Sequence, residues 1–552
     1  MTKQRIFIKL AAILGIVLVL LLGTISIGNA SVENYPMDLI DFSTFLGGTG
    51  DDCIETVSYA FGSTTVDSKG NIIVVGRTTS EDFPLKDAFQ DQLNGDSDGT
   101  ISKFYPNGSL IFSTYLGGSA QEVPTDVAVD SDDNIIVAGV TGSPDFPLMN
   151  PFQSNFTGGS EGAADCFITK FSEDGQSLLF STFFGGTGSD WSYTMNVDSD
   201  DRIAISGTTE SDDFPLLNAY QDTHAGALDV FLALFEADGQ SLLFSTYLGT
   251  PGTDHGRRVD FDSHGDVLLA GMVGNGDLET EGAYQEEFGG GGADAFLTKF
   301  KANGTLVYFT FLGGDLAEWG NDMVVDSEDN IILTGFTSSD DFPILNAYQD
   351  ERVASIDMFI TKFTPNGQSV VFSTYFGGSS EDYGNAITID SQDHIIVTGQ
   401  TKSVDFPITI PIQRSESYYN NVSLVVLDSD GSLLVSLILG GGHHDIGFGV
   451  TWHSDHKYII AGYTASDDFP LHEAYQDTYG GDYDMFVTKI DLQSLMVTPT
   501  STTTTSTITN TTTTTSTTTT TVSGFPLVLV GSGIIGIVVV VVLLLVIRKR
   551  SG

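Results

Sequence analysis

Seven acidic side chains recur at one place in this chain, the fifth residue after the first glycine of a Gly-Gly pair (Gly-Thr in one copy): Asp52, Glu122, Asp190, Asp254, Glu318, Asp382 and Asp445. A second set, Asp98, Asp165, Asp229, Asp294, Asp357, Asn421 and Asp484, opens a later segment of each copy. Carboxylates crowded around one axis raise the local negative potential, which suits divalent cations, Ca2+ foremost, or a cationic ligand. Two carboxylates in reach of one bond would also suit acid-base hydrolysis of a polymer. Recurrence in every copy favours a plainer role, since a side chain that each unit keeps does a job each unit needs, such as accepting a loop N–H or bridging to a neighbour.

Chemistry confined to single copies is scarcer. His443, His444 and His472 fall near one another in the expected topology and, with nearby carboxylates, are the candidate Zn2+ or Cu2+ ligands. His453 and His456 fall on the opposite side by strand count and do not join them. The run NGDSDG at 94–99 resembles the start of a calcium loop, but its twelfth position is Tyr105 where a bidentate Glu is needed, so it reads as a polar turn. The exported part has no HExxH helix and no phosphate-binding glycine loop. No catalytic residue is assigned and no cofactor is required. The fourth copy departs from its siblings with Arg257 and Arg258, and with Asp277-Leu278-Glu279 where the others carry DFP.

What must position these residues is a repeat. The string FSTYLGG at 112–118 returns seven times, beginning at Phe42, Phe112, Phe180, Phe244, Tyr308, Phe372 and, worn, Val435. A fixed period of this kind means that each unit buries its apolar face against its neighbours. Within a unit, four short stretches rich in β-branched and aromatic residues are separated by turn chemistry such as DSKGN, DSDDN, YPNGS and TPNGQ. Asn-Gly and Asp-Gly supply the positive φ of tight hairpins, so the strands are antiparallel. Four antiparallel strands in seven copies predict a seven-bladed β-propeller over 38–492. The first strand of the chain, 39–46, is a fourth-type strand, and the last, 484–490, is a third-type strand. That offset predicts a ring closed by the N-terminal strand, which leaves no long edge exposed.

These motifs, FSTYLGG, VDSxGNIxVxG, DFP and DxFITKF, resemble the seven-bladed β-propeller repeat family called SBBP. The resemblance covers 38–492 and implies a cell-surface or extracellular protein. It implies no general activity.

In the antiparallel topology the short turns share one face and the long connections the other, where both carboxylate sets lie. In those connections DFP and a later aromatic-Gln pair, as at Phe152-Gln153, are expected to form a small satellite core pinning each loop to its own blade.

The flanks predict export and anchoring. Residues 1–30 read as a signal peptide, with Lys3, Arg5 and Lys9 before an apolar run. Residues 493–524 are a Thr/Ser-rich stalk, and 525–547 are 23 uncharged residues, about 34 Å as a helix at roughly 1.5 Å per residue, enough to span a bilayer. The basic tail 548–552 then stays in the cytoplasm and the propeller outside. Sequons at Asn107, Asn155, Asn303, Asn421 and Asn510 are glycosylation candidates in an exported chain. Two cysteines, Cys53 and Cys166, provide no disulfide framework, though one bridge between them is open. With 22 Lys+Arg against 72 Asp+Glu, the net charge of −50 excludes electrostatic binding of nucleic acid.

The expected function is therefore a membrane-anchored surface propeller that binds or scaffolds, with a polysaccharide or a neighbouring surface protein as partner. The alternatives are a surface enzyme acting on glycans or other polymers through carboxylates of the long-loop face, and a purely structural spacer of the envelope.

Overall fold

The computed structural model describes residues 37–53, 64–158, 163–274, 276, 278, 280, 282–410 and 419–496. They form seven antiparallel sheets of four strands each, the first of which has its innermost strand in two pieces. The second unit is typical. From the axis outward it has Glu122–Val129, Ile135–Thr141, Asp165–Phe171 and Leu178–Phe184. The innermost strand begins four residues before the apolar stretch that marks it in the sequence (Asp126 to Glu122), so the recurring acid is the first residue of a strand in six of the seven units and stands just before it, as Asp254, in the fourth.

Closure follows the expected route. Ile40–Leu46 lies antiparallel to Asp484–Asp491, with Phe45 opposite Phe486, and completes the sheet formed by Asp445–Ser454 and Lys457–Thr464. A hydroxyl pair, Ser43 Oγ to Thr488 Oγ1 at 2.8 Å, is buried inside this join. Pairing the first strand with the last leaves no free edge there for another chain to template on.

The core lies between blades. One apolar cluster combines Ile136, Ile168 and Phe180 of the second unit with Met195, Ile205 and Phe231 of the third. Another combines Phe42 and Ile459 of the closing blade with Ile72 and Val74 of the first. The outer hairpins contribute a tight fit at each seam. Gly108, at φ 81°, faces Phe42 so closely that an added Cβ would stand 2.7 Å from the ring, which explains the glycine in its Asn-Gly turn.

The long connections differ from expectation in one respect. The DFP phenylalanines do pack on their own blade, as Phe146 on Phe167 (4.6 Å) and Phe469 on Phe486 (4.5 Å). The aromatic of the aromatic-Gln pair instead reaches the next blade: Phe89 meets Phe171 edge-on at 5.4 Å, Phe152 meets Phe235 at 5.5 Å, and Tyr475 meets Phe104 at 6.2 Å across the closure. The connection is thus a strap across two blades and no satellite. Unit six has Leu427 at the receiving position, and Tyr348 turns to stack on Phe376.

The folded unit runs slightly past the predicted boundary, because Gln493–Met496 forms a helical turn whose Met496 packs on the apolar cluster shared by the sixth and closing blades. Among the described residues no helix is long and apolar enough to cross a membrane. The predicted signal peptide, the rest of the stalk, the span 525–547 and the tail lie outside the described residues.

Because Phe45 is fully buried at the join, Phe45→Ala is expected to cost about 3–5 kcal/mol. A lowered urea midpoint, with an equal or smaller effect from Ser43→Ala, would be the signature of closure through this strand.

Candidate functional site

Each of the seven recurring acids is fully buried and sits where the outermost strand of one blade passes to the innermost strand of the next. Asp52 accepts the Gly48 N–H at 2.6 Å, and its carboxylate also takes the hydroxyls of Ser80 (2.8 Å) and Thr78. The same triad recurs as Gly378 (2.7 Å), Ser403 (2.7 Å) and Thr401 about Asp382, and as Gly441 (2.7 Å), Ser466 (3.1 Å) and Thr464 about Asp445. Glu122 and Glu318 reach the same glycine amide and threonine with a longer arm. Asp190 follows suit with Gly186 and Ser211, while Asp254 substitutes the Thr250 and Gly274 amides. These side chains are corner clamps inside each seam.

The second set caps the long connections. Asp98 accepts the Asn94 and Gly95 amides (3.0 and 3.1 Å), Asp229 those of Ala225 and Gly226, and Asp484 those of Gly480 and Gly481. NGDSDG is accordingly a turn folded around Asp98. Two further repeated residues close the corner: the Gln of each aromatic-Gln pair accepts the first glycine N–H, as Gln153 does from Gly185 at 3.1 Å, and the DFP aspartate accepts the next loop amide, as Asp145 does from Ser119 at 2.9 Å.

Burial dominates the acidity of the clamps. It pushes Asp52, Asp190, Asp254 and Asp445 up to about 6 and Asp382 up to about 7, against the hydrogen bonds that favour the ionised form. Glu122 and Glu318 move in the same direction for the same reason.

Beside the clamps the blades cease to resemble one another. The residue after each acid, with its partner on the second strand, runs Cys53/Arg77, Val123/Val140, Trp191/Thr208, His255/Met272, Trp319/Phe336, Tyr383/Gln400 and Ile446/Tyr463. These pairs lie at the long-connection end of the innermost strands. Rings follow one another there, His255 buried and the others half-buried: His255 and Trp319 at 6.1 Å, Trp319 and Phe336 at 5.5 Å, Phe336 and Tyr383 at 5.2 Å. Arg257 is buried beneath them, its guanidinium 4.9 Å from the Trp319 ring and 5.3 Å from that of Tyr193. Burial, and secondarily Arg257, hold His255 down to about 3, so it is a neutral ring. Between the first three units a cavity of about 410 Å3 opens among Arg77, Asp96, Val123, Val140, Ala164 and Trp191. It joins an indole and small apolar walls to one cationic and one anionic side chain, a combination suited to a ligand with an apolar face and a polar rim. The signal for these residues was present in the sequence as the variable neighbour of an invariant acid.

A second asymmetric feature lies on the axis. The cavity there, about 130 Å3, contains Arg258 of unit four, whose guanidinium meets Asp126 of unit two (3.3 Å) and Asp322 of unit five (3.1 Å). Asp322 also accepts the Ile387 amide of unit six at 2.8 Å, and Asp126 the Met195 amide of unit three at 3.0 Å. Burial raises Asp126 to about 7 and Asp322 to about 6 although Arg258 opposes it.

The predicted histidines are engaged separately. His443 is exposed with its ring 5.3 Å from Tyr419, His444 lies 4.8 Å from that same ring and accepts the Asn420 N–H at 3.4 Å, and the His472 carbonyl takes the Ser43 amide. Asn107, Asn155 and Asn303 are exposed, whereas Asn421 is buried as the first residue of a strand and is closed to a glycosyltransferase in the folded protein; Asn510 lies outside the described residues. Cys53 and Cys166 are both buried and not bonded to one another.

No family model matches the chain. Over 238 residues it is 25% identical to a regulatory protein, FlaEY, of Caulobacter vibrioides, covering 43% of this chain and 23% of that protein. Over 141 residues it is 26% identical to an uncharacterized WD repeat-containing protein of Acanthamoeba polyphaga mimivirus, covering 21% of this chain and 10% of that protein. The chain thus spans less than a quarter of the length of these curated relatives. Among solved structures, a protein of unknown function from Dyadobacter fermentans is 11% identical with a TM-score of 0.38, covering 82% of this chain and 98% of that one.

A clamp acid raised above its ordinary 3.8 holds its proton more tightly in the folded chain, so its contribution to stability is complete below about pH 4 and is lost as pH rises through 6 to 7. Turn carboxylates such as Asp67 and Asp326 run the other way: burial is outweighed by hydrogen bonds from Asn and Lys, their pKa falls, and their contribution disappears below about pH 4. The thermal midpoint is therefore expected to rise from about pH 8 to pH 5 and to fall below about pH 4. Asp382→Asn should flatten the slope on the neutral side. A midpoint that falls steadily from pH 8 to pH 5 would contradict the raised clamps.

Proposed function

We propose that this propeller is a binding or scaffolding module of the cell surface, held to the membrane by the segment 525–547, and that its ligand sits at the long-connection mouth. The reading rests on one observation: the innermost ring of cross-strand pairs keeps its clamp acid in all seven blades while the adjacent pair differs in every one, with indole and phenol rings in several. Scaffolding residues repeat because each unit needs them, whereas a ligand without sevenfold symmetry needs unlike contacts. A polysaccharide fits this mouth best, because sugar rings offer C–H faces to Trp191 and Trp319 and hydroxyls to Arg77 and Asp96. The acidic surface disfavours nucleic acid as a partner. The motif resemblance to surface-type SBBP propellers and the hydrophobic segments at both ends support the extracellular placement.

The hydrolase reading draws on the raised clamp acids, which titrate in the range a general acid uses. Their full burial and their engagement by loop amides and hydroxyls, as about Asp52, support the binding reading over it.

Retention on a glycan array, with and without Ca2+, tests the proposal. Trp191→Ala is expected to weaken retention by about 2 kcal/mol, roughly 30-fold, as for a central aromatic anchor. Undiminished retention by Trp191→Ala and Trp319→Ala would remove the mouth from consideration, and release of shortened glycan would favour the hydrolase.

A further inference from the structure

On the short-turn face the seams that follow units one, two and five obey one rule. An aspartate after the innermost strand accepts the amide two residues on and that of the fourth, as Asp67 does from Lys69 (2.9 Å) and Asn71 (2.8 Å). The fourth residue's side chain bonds the same carboxylate: Asn71 at 2.7 Å, Asn134 at 2.9 Å, Asn330 at 2.9 Å. A lysine from the third strand neutralises it: Lys103 on Asp67 (2.9 Å), Lys170 on Asp130 (2.5 Å), Lys299 on Asp262, Lys362 on Asp326 (2.8 Å). The serine that follows donates to a left-handed aspartate of the next blade, as Ser68 does to Asp133 and Ser327 to Asp393. Unit four obeys the rule except for Asp266 at the fourth position, and unit three has Arg202, Leu234 and Gly265 at the three places, with Arg202 itself neutralising Asp198.

The seam between blades six and seven departs from this rule at three places together. The fourth residue is His394 in place of Asn, the third-strand lysine is replaced by fully buried Val426, and the left-handed position, at φ 53°, is His456 in place of Asp. Asp390, 3% exposed, is thereby left without the lysine that four other seams supply. Burying a carboxylate without a counter-charge is costly. The groups now facing it are two imidazoles and a phenol: His394 Nδ1 at 2.8 Å, Tyr458 Oη at 2.9 Å and His456 Nδ1 at 3.5 Å, all from the same oxygen, Oδ2. His456 Nδ1 is buried and makes no hydrogen bond. One ligand atom from each of Asp390, His394 and His456 can be chosen so that all lie within 4.8 Å of one another, the one such trio of His, Cys, Asp or Glu among the described residues.

We propose that Asp390, His394 and His456 bind one divalent transition-metal ion of the Zn2+ type, a staple across the seam between blades six and seven. Two imidazole nitrogens and one carboxylate oxygen are a borderline-soft set that suits Zn2+, Co2+ or Cu2+ and not Ca2+. Ligands about 2.0–2.2 Å from a tetrahedral ion stand roughly 3.3–3.6 Å apart, so modest side-chain rotation from the present spacing closes the site. A water takes the fourth position, and the Tyr458 hydroxyl fixes the carboxylate. The ion supplies the positive charge that the third-strand lysine gives elsewhere.

The test uses the untagged full chain, stripped with EDTA and titrated with ZnCl2 by calorimetry and with CoCl2 by visible absorption. One ion per chain is expected, with a Co2+ band that Zn2+ bleaches and a thermal midpoint raised by Zn2+. His394→Asn installs the residue of units one, two and five, and His456→Gly that of units one and four at the left-handed position, so both are compatible with the fold. Each should weaken binding by at least the roughly 10- to 100-fold that loss of a mere supporting hydrogen-bond partner costs a metal site. His443→Ala with His444→Ala should leave it unchanged. Equal isotherms for the wild type and both seam variants, or loss of binding only in the His443 and His444 variants, would overturn the assignment.

Discussion

Wherever the chain turns from the rim of one blade to the axis of the next, a backbone amide, that of a glycine in six of the seven turns, is carried out of water. It has to find an acceptor there, and the rest of the ring depends on how it does so. The solution is a carboxylate that begins the following strand and gathers that amide together with the hydroxyls of Thr and Ser two residues apart. An ionised acid so enclosed is expensive, and the upward shift of its pKa measures that expense. The gain is that one side chain belonging to the new blade fixes the exit of the old one, so the angle between blades is set by bonds and not by apolar contact alone. Asp and Glu both serve, because the amide and the hydroxyls matter and the length of the arm does not.

The strand count, the antiparallel order and the closure were legible in the sequence, because the offset between a fourth-type strand at Ile40–Leu46 and a third-type strand at Asp484–Asp491 has only a cyclic resolution. The clamps were visible as a pattern, but their enclosure was not. Strands buried on both faces show no alternation, so the sequence gives no sign that Glu122 or Asp190 already lies inside the ladder. The reach of Phe89 and Phe152 to the next blade was equally hidden, since a period says which residues are equivalent and not whether a contact stays within one copy.

What repeats and what departs have different work here. Clamp acids, capping aspartates, the Gln that holds the first glycine and the DFP aspartate hold the ring. The mouth lined by Trp191, Trp319 and Tyr383 and the seam around Asp390 consist of positions where one copy has left the common pattern. His456 was placed on the correct side by counting strands, but its partner escaped notice because His394 stands at a turn position that in its siblings is an unremarkable Asn.

The guanidinium on the axis has a bearing on how this gene can change. Units so alike in sequence invite unequal recombination, which adds or deletes a whole copy. Arg258 spans from its own blade one step forward to Asp322 and two steps back to Asp126, a separation that holds only for the present number and order of copies. Gain or loss of a copy between units two and five would strand a charge in the narrow centre, so a single side chain makes the tally of repeats heritable.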